Sequence, residues 1–175
     1  MIQRIQSLFL LLAAACYVWG AFLPVATLQP RNESAMSEWS RVEEPSEAAA
    51  QVEVYSYDSW AVRDAEGATV FNNAFVALLQ LLLGAFSIVI IFMYKNRKRQ
   101  VKLCLLNLFL GLILLALMLF ICPDMIFPKV AGLKGAEAVY SLWTIVTMVP
   151  VLLVYVAHKF ILRDENLVRS ADRLR

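Results

Sequence analysis

The stretch MYKNRKRQVKL, residues 93–103, decides the fold. It carries Lys95, Arg97, Lys98, Arg99 and Lys102, five cations within eight positions and no anion. One apolar run precedes it, 74–94, and another follows, 103–121; neither contains Asp, Glu, Lys or Arg. About 20 apolar residues, at ~1.5 Å rise each, cross a hydrocarbon core of ~30 Å. A backbone in lipid has no water to pair with, so both runs are expected to be helices. Residues 95–102 are too few for anything but a tight hairpin between them. Short cytoplasmic loops collect Lys and Arg, so the basic hairpin is expected on the cytoplasmic side.

Working outward, two more uncharged runs reach spanning length, 8–28 and 138–157. Composition agrees: 61% of the 175 residues are hydrophobic and 17% charged, against about 45–50% and about 25% in soluble domains. The connection 29–73 holds nine acids (Glu33, Glu38, Glu43, Glu44, Glu47, Glu53, Asp58, Asp64, Glu66) against Arg31, Arg41 and Arg63. It is expected outside, as is the neutral connection 122–137. The tail 158–175, with five cations against three anions after His158, is expected inside with the amino end. LAAAC, residues 12–16, has the look of a lipoprotein cleavage site, but the apolar run continues to Leu28. A signal core of about 7–15 residues turns polar sooner, so the first run is expected to remain as a span. Trp19 and Pro24 suit its outer end, as an interfacial anchor and a stop.

The 45 residues of the outer loop are too many for a plain connector. QVEVYSYDSWAV alternates Val52 and Val54 with Gln51 and Glu53, RDAEG (63–67) has turn chemistry, and ATVF (68–71) reads as a returning strand. A small β-hairpin capping the outer helix ends is expected, with LQPRN or SEWSRV as further strand candidates. NES at 32–34 fits a glycosylation acceptor, a pattern short enough to arise by chance.

Reactive chemistry is sparse. Cys16, Cys104 and Cys122 are odd in number, lack CxxC spacing and lie in or beside apolar runs, so they read as small hydrophobes rather than disulfides or zinc ligands. The single histidine, His158, sits at the inner end of the fourth run. There is no HExxH, GxSxG or glycine-rich nucleotide loop, and Asp124 is a lone acid at a span boundary. No enzymatic activity, cofactor, metal or nucleic-acid partner is expected.

Polar residues inside spans are the first place to seek function. Gln80, Ser141, Thr144 and Thr147 share an outer depth and form a candidate cluster, with Pro150 kinking the helix beside them. Asn107 lies near the inner end of its run, at the level of Gln6 and Ser7. The five hairpin cations are candidates for anionic-lipid contact, beside the plain reading that they only set topology. In the tail, Leu167, Ala171 and Leu174 recur at helical spacing, with Arg169 and Arg173 on other faces. That makes an amphipathic extension of the fourth helix, lying on the membrane or the basic hairpin, or docking a cytoplasmic partner.

MIQRIQSLFLLLAAA (1–15) and LRDENLVRSADRLR (162–175) resemble the opening and close of the Bacteroidota four-span membrane family catalogued as domain of unknown function 4293. The resemblance implies a bacterial inner membrane and cytoplasmic termini, and brings no catalytic residues. The expectation is therefore a single integral membrane domain, 1–175: an all-α bundle of four transmembrane helices with a small extracytoplasmic β-hairpin cap. Its expected role is a non-enzymatic scaffold or accessory subunit, binding another envelope or cytoplasmic protein. The alternative is a carrier or sensor of a small or lipidic molecule, with a cavity around Gln80, Thr144, Thr147 and Pro150.

Overall fold

The computed structural model describes residues 2–30, 55–127 and 136–173. Val52 and Val54, the SEWSRV stretch and the NES motif lie outside the described residues. The apolar runs are helical, as a chain without other backbone partners requires. They are α1 (Ile2–Gly20), α2 (Ala74–Phe92), α3 (Arg97–Ala116, continuing to Ile126 with π-helical winding) and α4 (Thr144–Arg173). Among the described residues, three helical stretches are long and apolar enough to cross a membrane: Ala74–Phe92, Arg97–Asp124 and Thr144–Val168. The apolar part of α1, Ile5–Gly20, is shorter.

Two expected spans need correction. The run 8–28 divides: the helix ends at Gly20, and Pro24–Pro30 becomes strand β1. A proline at each end of PVATLQP disfavours helix, while Val25 and Thr27 suit an extended chain. The run 138–157 divides likewise. Ala136–Tyr140 is a strand, and α4 begins only at Thr144. Both strands were hidden within apolar runs because a buried strand and a buried helix are equally apolar.

Those two pieces enlarge the expected hairpin into a five-stranded antiparallel sheet. Its strands are β1, β2 (Tyr55–Asp58), β3 (Ala61–Arg63), β4 (Thr69–Asn72) and β5 (Ala136–Tyr140), in the order β4-β3-β2-β1-β5. The β3–β4 hairpin turns where RDAEG predicted. The Asp64 carboxylate accepts from the Glu66 and Ala68 amides at 3.1 and 2.8 Å, and Gly67 takes φ 84°, where a side chain is disfavoured. A two-stranded hairpin is marginal alone; here β1 anchors it, paired with β2 on one side and β5 on the other.

The sheet sits at the end where α1 and α3 finish and α2 and α4 begin. It grips α3 through a backbone defect. Pro123 has no N–H, so it leaves unpaired the carbonyl of Leu119 in an α turn, or of Met118 in a π turn. Both carbonyls take tyrosine hydroxyls from the sheet: Tyr57 donates to Met118 O at 3.3 Å, and Tyr140 donates to Leu119 O. The Phe127 ring packs edge-on against Tyr57 at 4.9 Å and against Phe71 at 5.9 Å.

Between the helices, Tyr17 of α1 is buried beside Gly84 of α2 and Gly111 of α3. One apolar cluster joins Tyr17, Val25, Tyr57, Leu83 and Met118 under the sheet. Another joins Leu10, Ile90, Cys104, Val154 and Ile161 toward the hairpin. The three cysteines are free thiols, with Cys104 and Cys122 buried. The outward faces are apolar too: Leu82 is 65% and Leu152 64% exposed. Helices apolar on all sides belong in a larger core or in lipid.

Candidate functional site

Three groups of residues were singled out by sequence, and the fold treats them differently. The first is the polar cluster. Gln80 is buried, and its amide oxygen accepts from the Ser59 hydroxyl at 3.0 Å. Gln80 and Thr147 both press on Gly20: a Cβ there would lie 2.8 Å from Gln80 Nε2 and 3.6 Å from Thr147 Cγ2. Thr144 donates to Val25 O at 2.5 Å, and Thr147 to Thr144 O at 2.6 Å. Ser141 accepts from the Trp143 amide at 3.4 Å at the start of α4. The expected bond from Gln80 to Ser141 or Thr144 is replaced by one to Ser59, a residue just before β3 that no apolar pattern marks. Asn107 likewise donates to Ser87 at 2.7 Å rather than meeting Gln6 or Ser7.

The second group is the tail. The fourth helix runs unbroken to Arg173, as the amphipathic pattern predicted. Leu167 and Val168 are 55% and 45% exposed; the side chains of Arg169, Ala171, Arg173 and Leu174 lie outside the described residues. Sequence reading passed over the acids just before them. Asp164 and Glu165 are buried. Asp164 Oδ2 accepts from the Gln6 amide of α1 and lies 4.0 Å from the Arg97 guanidinium of α3. One carboxylate thus ties together the chain's amino end, the basic hairpin and the tail. The signal was present as acids in a basic tail, but its partner could not be read without the fold.

The third group is the basic hairpin. Lys95, Asn96, Arg97, Lys98 and Arg99 line a pocket of about 500 Å³ closed on one side by Glu165. Lys102 carries the same charge one turn along α3 and is not among the lining residues. Gln100 turns inward and donates to Ile90 O at 3.1 Å, closing the end of α2.

Two apolar grooves lie elsewhere. One, of about 720 Å³, runs along Leu11, Ala15, Val18 and Phe22 of the α1 side to Ile88 of α2. The other, of about 490 Å³, lies between Leu119–Phe120 and Leu142–Met148, with Ser141 and Thr144 in its lining. Among the described residues, no three His, Cys, Asp or Glu side chains gather as a metal site needs. Beside the second groove, burial and then the Asp124 charge push the Tyr140 phenol above its ordinary range.

The family model described as Domain of unknown function (DUF4293) matches residues 2–174. The chain belongs to that family. No curated protein and no solved structure matches this DUF4293 member significantly. The match covers the sheet-forming segments as well as the helices, so cap and bundle together are one family unit.

Proposed function

We propose that this DUF4293 member is a multi-pass inner-membrane protein with four spans and with both termini and the basic hairpin in the cytoplasm. Within that frame it is a non-enzymatic scaffold or accessory subunit whose tail holds a cytoplasmic or envelope protein. The observation that carries the reading is the length and surface of α4. Its 30 residues extend ~45 Å, ~15 Å beyond a hydrocarbon core. The protruding turns present Leu167 and Val168 to solvent, while Asp164 fixes them to the hairpin. Apolar anchors on an exposed helix face are what a helix-in-groove partner reads. Inside the bundle Gln80, Asn107 and Thr144 are by contrast turned onto the fold itself, at Ser59, Ser87 and Val25.

A photo-crosslinking amino acid at position 167 in living cells tests this. One discrete adduct is expected, lost when Val168→Gln is added and absent with the crosslinker at Arg163. The same diffuse labelling at 167 and 163 would contradict it.

A second reading, a carrier or sensor of a lipidic molecule, is favoured by the groove that Ser141 and Thr144 line. That groove shares Thr144 with the cavity around Gln80, Thr144, Thr147 and Pro150 that the sequence pointed to, and Gln80, Thr147 and Pro150 are not in its lining. A photoactivatable fatty acid that labels Met148 in wild type, and not in Thr144→Leu, would support it. Equal labelling of both would dismiss it.

A further inference from the structure

Placing positive charge in the cytoplasm needs no concave shape, yet the hairpin has one. Its pocket of about 500 Å³ is lined by Lys95, Asn96, Arg97, Lys98 and Arg99 together with Glu165 of α4. That volume lies in the range of small-ligand clefts, about 300–1,000 Å³. The charges are unequally spent. Arg97 faces Asp164 at 4.0 Å. Among the described residues, Lys95, Lys98 and Arg99 have no carboxylate within 4.0 Å, and all three are exposed. Four cations against Asp164 and Glu165 leave a formal surplus of two positive charges at the pocket. Lysine supplies point charges and arginine a planar fork, a combination that suits the oxygens of a phosphate ester.

The source of that ester follows from the neighbours. Phe92 and Tyr94, at the end of α2, are exposed and adjoin the pocket in sequence, so apolar surface begins where the cations end. We propose that the hairpin pocket binds the phosphodiester headgroup of an anionic phospholipid through Lys95, Lys98 and Arg99, with Arg97 shared between headgroup and Asp164. The lipid source rests on the membrane reading above; the site itself rests on the pocket. Asp164 builds the site indirectly, by drawing the tail against the hairpin so that Glu165 forms its wall.

The test uses the full chain in neutral detergent. Thermal unfolding is followed while dioleoylphosphatidylglycerol is titrated in, with dioleoylphosphatidylcholine and water-soluble glycerol 1-phosphate as separate arms. Phosphatidylglycerol is expected to raise the midpoint saturably, and the other two to leave it unchanged. Lys98→Gln with Arg99→Gln is expected to weaken half-saturation about tenfold. Lys98→Gln alone is expected to weaken it about threefold, and Lys102→Gln, which removes the same charge outside the pocket, less than about 1.5-fold. Both double-variant positions are exposed, so folding is expected to survive; Lys95→Gln with Lys98→Gln provides an independent pair. Equal losses in the single variants Lys102→Gln and Lys98→Gln would overturn the proposal, because charge without shape would then suffice. So would stabilisation by phosphatidylcholine equal to that by phosphatidylglycerol. Stabilisation by glycerol 1-phosphate matching the lipid would overturn the lipid assignment. Failure of the pocket is distinguishable from failure of the topology: the first appears in these titrations, the second only as access to residue 98 from outside the cell.

Discussion

Tyr17 shows how one side chain sets the spacing of three helices. Its ring is buried between Gly84 and Gly111, and its hydroxyl has no hydrogen-bond partner among the described residues. A buried hydroxyl left unpaired costs about 1–3 kcal/mol. Tyr17→Phe is therefore expected to leave the unfolding midpoint unchanged or raise it. A Cβ on Gly111 would lie 2.6 Å from the hydroxyl oxygen, so Gly111→Ala is expected to cost about 1–3 kcal/mol through overpacking. Combining the two removes the clashing atom and is expected to restore most of that loss; a double variant as unstable as Gly111→Ala alone would contradict this. At the tail, Asp164→Ala leaves the Gln6 amide without its acceptor and Arg97 without its neighbouring charge. The expected cost is about 1.5–3 kcal/mol, read by chemical unfolding, with Glu66→Ala in the exposed turn as a neutral control. Neither role was legible in sequence. A glycine in an apolar run does not say what approaches it, and an acid in a basic tail does not say which cation it meets.

At the scale of elements, the sheet and α3 are coupled through Pro123. Tyr57→Phe removes one donor from Met118 O and is expected to cost about 1 kcal/mol. Pro123→Ala restores the missing N–H to the helix, so in that background Tyr57→Phe is expected to cost less than half as much. Equal costs in both backgrounds would show that the tyrosine does not serve the proline defect. The Tyr57 phenol is pushed up from its ordinary range, chiefly by burial and then by its neighbour Cys122. A raised folded value means that the folded state holds the proton more tightly than the unfolded chain. Stability is then flat below the ordinary tyrosine value of about 10 and falls as pH rises beyond it. Absorbance at 295 nm should show a late tyrosine ionisation that accompanies unfolding, with an amplitude smaller by one tyrosine in Tyr57→Phe. Here sequence reading went halfway. The turn at 63–67 and the strand after it were legible from Asp64, Gly67 and the β-branched residues around them. Strand β1 was legible only at its end, in LQPRN, and β5 not at all, because Val25–Leu28 and Ala138–Tyr140 continue apolar runs without a polar break and only their pairing in the sheet separates strand from span.

For the molecule as a whole, charge asymmetry and apolar length carry the architecture. Helices α2, α3 and α4 were legible from runs without a charged residue, and the tight connection between α2 and α3 from the cations of 95–102, although Arg97 and the residues after it are already the first turns of α3. The candidate site was legible only in part. The hairpin cations were visible as a cluster, but their concavity depends on Glu165, some 65 positions away, and Glu165 reaches them only because α4 continues unbroken past the bundle. The polar residues of the interior looked like one cluster in sequence. In the fold Gln80 bonds Ser59 and Thr144 bonds Val25, while Gln80 and Thr147 still meet at Gly20. Every functional proposal depends on which side of a bilayer the hairpin occupies. The direct measurement is labelling of Lys98→Cys and Glu66→Cys by a membrane-impermeant maleimide in intact spheroplasts. Labelling of residue 66 alone is expected, with residue 98 reacting only after the membrane is opened; labelling of residue 98 in intact spheroplasts would contradict the account.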